Sequence, residues 1–299
     1  MTARWHCLAL AVTAACASGR GGTTGAPPPA APTSYDPAAA QPAPRPAAPA
    51  RLPEAVRYGP SVARYLVRRD LHIQQGLGEQ ALTHDLGTRT FLTVVISGPA
   101  DSVGYPTTFT IDSVVGDSGL AAPLKESLDR AKRLVFSGRV APGGEFRNAV
   151  PSDSVAAQAL AQLLGSFRDF LPRIPRRGLE LGATWADTLE RTQRRGGLDV
   201  TTHILARGRA AAWEDHLGTR VLRVESAGTY ALTGTGESAE QRVEVGGQGT
   251  GTTTAFVAAD GRFFGAEARD SAALTFRFLN EGVTRDVIQV SRTTVTLVP

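Results

Sequence analysis

Thr252-Thr253-Thr254-Ala255-Phe256-Val257-Ala258-Ala259-Asp260-Gly261-Arg262-Phe263-Phe264-Gly265-Ala266-Glu267-Ala268 decides the fold. β-Branched and aromatic residues flank Asp260-Gly261, and both of those residues tolerate the positive φ that a two-residue hairpin turn requires. The stretch therefore reads as a strand over 252–259, a tight turn, and a strand over 262–268. Working outward, Pro142-Gly143-Gly144 separates extended patterns at 134–140 and 145–150, and Gly196-Gly197 separates those at 188–195 and 199–206. Short links between neighbouring strands imply antiparallel pairing in a meander.

A period of two recurs along the chain. Phe109 and Ile111 alternate with Thr108, Thr110 and Asp112, Val243 and Val245 with Arg242 and Glu244, and Leu274, Phe276 and Phe278 with Thr275 and Arg277. Such alternation marks strands with one buried face. The stretch 286–298 carries β-branched residues at nearly every second position and reads as a long closing strand.

Two helices interrupt the strands. Leu160, Leu163, Leu164, Phe167 and Leu171 fall at steps of three and four, giving an apolar stripe on a helix over 153–171, with Ser152 or Asp153 as cap and Pro172 as stop. A shorter helix near 123–134 places Leu124, Leu128 and Ala131 on one face. The expected fold is mainly β with two helices: a curved antiparallel meander sheet, or partial β-barrel, with a helix covering one side. Front strands over 56–150 and back strands over 180–299 would form one domain spanning 54–299, because wide twisted sheets curl rather than stay flat.

The N-terminal end reads differently. One positive charge, Arg4, precedes an apolar run from Leu8 to Ala15, as in a secretory signal. The run ends in Thr13-Ala14-Ala15-Cys16, which resembles a bacterial lipobox over 1–16, departing from that pattern at Thr13, where an aliphatic residue is usual. The resemblance implies acylation of Cys16 and a membrane-anchored envelope protein, periplasmic or on the outer surface. The alternative is cleavage at an ordinary small-x-small site and free secretion. Residues 17–53 are rich in Pro and Ala with few large apolar side chains, the composition of a disordered tether.

Chemistry-bearing motifs are sparse. The only cysteines are Cys7 and Cys16, which leaves the domain without a disulfide or thiol site. The net charge of +4 comes from scattered arginines such as Arg68-Arg69, Arg176-Arg177 and Arg194-Arg195, so no run points to nucleic acid. His72, His84, His203 and His216 lack the spacing of a metal motif, and no cofactor fingerprint is present. An enzyme would gain ground if two or more of His72, His84, His203, Asp215 and Glu225 converged in one cleft. Trp213-Glu214-Asp215-His216 reads as a polar hairpin tip over a packed Trp213, because adjacent strand residues face opposite ways. Gly246-Gly247-Gln248-Gly249-Thr250-Gly251 precedes a strand pattern rather than a helix, so it marks a bend or close backbone approach, not a phosphate cradle.

The turn and strand residues of roughly the last 120 positions, from Gly182-Ala183-Thr184-Trp185 through Asp260-Gly261-Arg262, resemble those of uncharacterised exported bacterial domains. In outline the strands and covering helix also resemble half-barrel lipoprotein carriers of the LolA and LprG type. The anchor, the strand-rich domain and the absence of catalytic motifs point to a non-enzymatic binding protein of the envelope, holding a hydrophobic ligand such as an acyl chain inside the curved sheet. Phe109, Leu163, Phe167, Phe276 and Phe278 would line its cavity. The alternative is a structural or protein-interaction module that uses a sheet edge or loops and has no ligand pocket.

Overall fold

The computed structural model describes residues 55–76, 81–117, 122–157, 167–195, 197–238 and 241–298. The expected signal, Cys16, the tether and the central turns of the long helix, with Leu160, Leu163 and Leu164, lie outside the described residues. The fold is one antiparallel sheet of eleven strands. In chain order these are β1 (Ser61–Gln75), β2 (Leu82–Ile96), β3 (Tyr105–Gly116), β4 (Val135–Val140), β5 (Phe146–Pro151), β6 (Thr184–Arg195), β7 (Leu198–His216), β8 (Thr219–Ser238), β9 (Gln241–Ala258), β10 (Phe263–Phe278) and β11 (Val283–Val298), with helix α1 (Ala122–Ala131) between β3 and β4.

The spatial order is β5-β4-β3-β2-β1-β11-β10-β9-β8-β7-β6, which is not a single meander. The chain starts at the centre with β1 and steps outward to one edge at β5. It then crosses to the opposite edge at β6 and steps back until β11 pairs β1 from Arg64↔Val298 to Gln75↔Val287. The hairpin signals are local and cannot report this crossing, because the turns between β5 and β6, such as the one closed by the Gly178 amide on the Pro175 carbonyl, do not join neighbouring strands. The closing strand thus lies at the middle of the sheet, where it joins the front and back blocks.

The crossing segment, hereafter the strap, begins with a helical turn at 154–157, where Asp153 Oδ1 accepts from the Val155 and Ala156 amides at 2.9 and 3.0 Å. This is the expected cap. After a 3₁₀ turn at Phe167–Asp169, the strap runs along the inner face of the sheet, burying Leu171, Ile174 and Leu179 against Val56, Tyr65, Phe109 and Phe263. Phe170 meets Tyr65, Phe109 and Phe263 edge-on, with centroids 5.2 to 5.6 Å apart. α1 buries Leu128 and Ala131 in the same cluster.

Turn chemistry holds with one difference. The link between β9 and β10 is four residues long, and only Gly261 has positive φ, at +85°. The Gly261 amide donates to the Ala258 carbonyl and the Ala258 amide to that of Arg262, while the Asp260 carboxylate accepts from the Arg262 amide and guanidinium. Asp260 stabilises the turn through its side chain, so it needs no left-handed backbone. By contrast, the tip between β7 and β8 uses Leu217 and Gly218, both with positive φ.

Candidate functional site

Along most strands buried inner positions alternate with more exposed outer ones, so the two faces offer different chemistry. On the inner face two apolar clusters are separated along the strands by buried polar groups, among them Arg69, Thr88, Asp270 and Ser291. Tyr230 donates to Asp270 within this belt at 3.1 Å. Burial, and then the neighbouring negative charge, push the Tyr230 phenol well above its ordinary pKa, so it remains a donor.

The residues expected to line one cavity divide between these clusters. Phe109 is wholly buried beside the strap, with its ring 4.6 Å from that of Phe146, and it stacks on Phe167 at 5.4 Å. Phe276 and the half-buried Phe278 belong to the second cluster, with Leu198, Tyr230, Leu232 and Leu274. The structure therefore brings Phe109 and Phe167 together, and Phe276 and Phe278 together, but does not bring the pairs to one another. Leu163 lies outside the described residues.

The histidines do not converge. His72 on β1 pairs with its cross-strand partner Asp85 at 2.7 Å, and His203 on β7 with Glu190 at 3.3 Å, both at the exposed surface. His84 is an exposed residue of β2. His216 stacks on Phe256 with centroids 4.2 Å apart, and Asp215 faces Arg220 at 3.4 Å, so neighbours in the Trp213-to-His216 run serve different contacts. No group of three or more metal-ligating side chains occurs among the described residues.

Two of the strand glycines prove to be contact surfaces. Tyr230 lies over its register partner Gly249, where an added Cβ would come within 2.2 Å of the ring, and Trp185 lies over Gly208 in the same way at 2.3 Å. These are the close approaches expected of glycine within strands, here made by aromatic side chains.

Sequence reasoning missed a surface depression on the back strands. A groove of about 1200 Å³ crosses β6 to β10 mainly on the outer face. Small residues, Ala186, Ala227 and Thr252, form its floor; Arg207, Arg209, Arg223, Glu214, Glu225 and Glu267 rise beside them. Arg209 and Glu225 pair at 2.5 Å, and Arg223 stands 3.5 Å from both Glu214 and Glu225. Arg223 Nε is buried and faces the Glu214 carboxylate at 3.5 Å, too long for a well-formed hydrogen bond, so an acceptor on a bound partner would complete it. Arg207 and Glu267 make no ion pair among the described residues. Its residues come from five strands, so no local motif could announce the groove.

Fold and groove together define a class: an open, strand-rich antiparallel sheet whose inner face is packed and whose outer face carries a polar recess. No family model matches the sequence, and none of the curated proteins matches it.

Proposed function

We propose that this chain is a non-catalytic binding protein of the cell envelope, held at a membrane by acylation of Cys16, which receives its partner in the outer groove across β6 to β10. The observation that carries the reading is a recess in which Arg223 Nε has only a long 3.5 Å contact to Glu214, and Arg207 and Glu267 make no ion pair among the described residues. A protein partner with both charge signs would complete them. This is the protein-interaction reading, with the recess in place of a sheet edge.

A photo-crosslinking residue at Ala227, on the groove floor, tests it in intact envelopes. A discrete adduct is expected at Ala227, absent when the same residue replaces the exposed Thr233 on the same strand, and lost on Arg207→Glu with Arg223→Glu. Equal labelling at both positions would refute the reading.

An acyl ligand against the inner face is the second proposal, favoured by the apolar cluster around Leu274, Phe276 and Phe278. Such a ligand would have to displace side chains that already fill that face. Mass spectrometry of the native protein tests it together with the anchor: a co-purifying lipid supports it, and an unacylated N-terminus ends the anchor.

A further inference from the structure

The chain enters the described fold at one end of the sheet. Val56 forms an antiparallel bridge with Leu179, the last buried residue of the strap, with both hydrogen bonds at 2.8 Å. The tip between β9 and β10 meets this segment, because a Cβ on Gly261 would come within 1.8 Å of the Arg57 carbonyl. The C-terminal end of β11 lies here too, since Val298 pairs Arg64. Anything joined through the preceding residues, a lipid on Cys16 included, attaches at this end.

Three exposed arginines surround the entry point. Arg57 Nε donates to the Arg177 carbonyl at 2.9 Å, which sets the Arg57 side chain beside Arg176-Arg177 on the strap. None of the three makes an ion pair among the described residues. The nearby acidic groups are otherwise engaged: Asp260 pairs with Arg262 at 2.7 Å and Asp215 with Arg220 at 3.4 Å, leaving the exposed Glu180 as the opposing charge on the strap. Elsewhere on the sheet, cations and carboxylates are interspersed.

We infer that this rim, Arg57, Arg176 and Arg177, docks on the anionic phospholipid headgroups of the membrane that carries the anchor. The inference rests on the anchored reading for its geometry. Basic residues near an anionic surface each add a modest, salt-sensitive attraction. A basic rim around the attachment point supplies a second contact and sets the long axis of the strands away from the surface.

The test uses the full chain with Cys16→Ser, so that no acyl group contributes, and measures co-sedimentation with phosphatidylcholine vesicles with and without phosphatidylglycerol. Binding is expected only to the anionic vesicles, falling with added salt. It should weaken about tenfold or more in Arg57→Gln/Arg176→Gln/Arg177→Gln, with no change in Arg242→Gln, an exposed residue of β9 outside the groove. Arg176→Gln/Arg177→Gln preserves the Arg57 bond to the backbone and repeats the test free of any local unfolding. Indifference to phosphatidylglycerol, or equal binding by the arginine variants, overturns the inference. Failure of the anchor itself is read separately, as an unacylated Cys16 in the mass spectrum of the native protein.

Discussion

At the scale of single residues, the close approaches of aromatic rings to glycine are the most exacting feature. Tyr230 reaches Asp270 because Gly249, its partner on β9, has no side chain in the way. Gly249→Val would push the ring aside, overpacking the second apolar cluster and breaking a buried hydrogen bond. A loss of about 1–3 kcal/mol is expected, read by denaturant unfolding. Gly246 has nothing within 4 Å of an added Cβ, so Gly246→Val should cost less than half as much. Equal losses would mean that backbone freedom, not ring contact, selects glycine in this run. The run's structural role was legible in the sequence from its strand context. The identity of the residue filling each gap was not, because Tyr230 and Gly249 come together through the register of β8 and β9.

At the scale of elements, the strap joins the two edges of the sheet through charge as well as apolar contact. Glu145, beside β5, accepts from Arg147 and Arg168 at 2.7 Å and lies 3.3 Å from Arg173. Arg173 also contacts Asp169 and the β6 residue Asp187, and Arg191 of β6 grips Asp169 with two nitrogens. Burial pushes the Glu145 carboxyl up, but hydrogen bonds from Arg147 and Arg168 and the charge of Arg173 outweigh it and hold the group at about 2. Because the folded value is depressed, this stabilisation is complete above the unfolded pKa of about 4.3 and lost as pH falls through about 2. Glu145→Gln should therefore cost about 1–3 kcal/mol at neutral pH, and the gap from the parent protein should close as the pH is lowered from about 5 towards 2. A gap that persists unchanged in acid would show that shape rather than charge matters at this position. Hairpins, α1 and the Asp153 cap were all readable because each depends on residues adjacent in sequence. The ion network was not, since it joins β5, strap and β6 only once the strap has crossed.

At the scale of the whole molecule, the crossing changes what the last strand does. In a simple meander β11 would be an edge, and its removal would trim the sheet. Here it pairs β1 and β10 on its two sides and, among the described strands, is the one linking the front block to the back one. Its inner residues Gln289 and Ser291 are buried, so losing it would expose the polar belt as well as both neighbouring strands. Deleting residues 286–299 should abolish cooperative unfolding of the entire domain, leaving a chain without a thermal transition by circular dichroism. Replacing Val150 and Arg147 on the edge strand β5 by proline should lower the midpoint while leaving one transition, because β5 has a single neighbour and Val150 is exposed. Two separable transitions in the deletion variant, one for each block, would show that the blocks are independent domains and that the β1–β11 pairing merely docks them. A single lost transition would show that the sheet folds as one body, with its stability concentrated where the first and last strands pair.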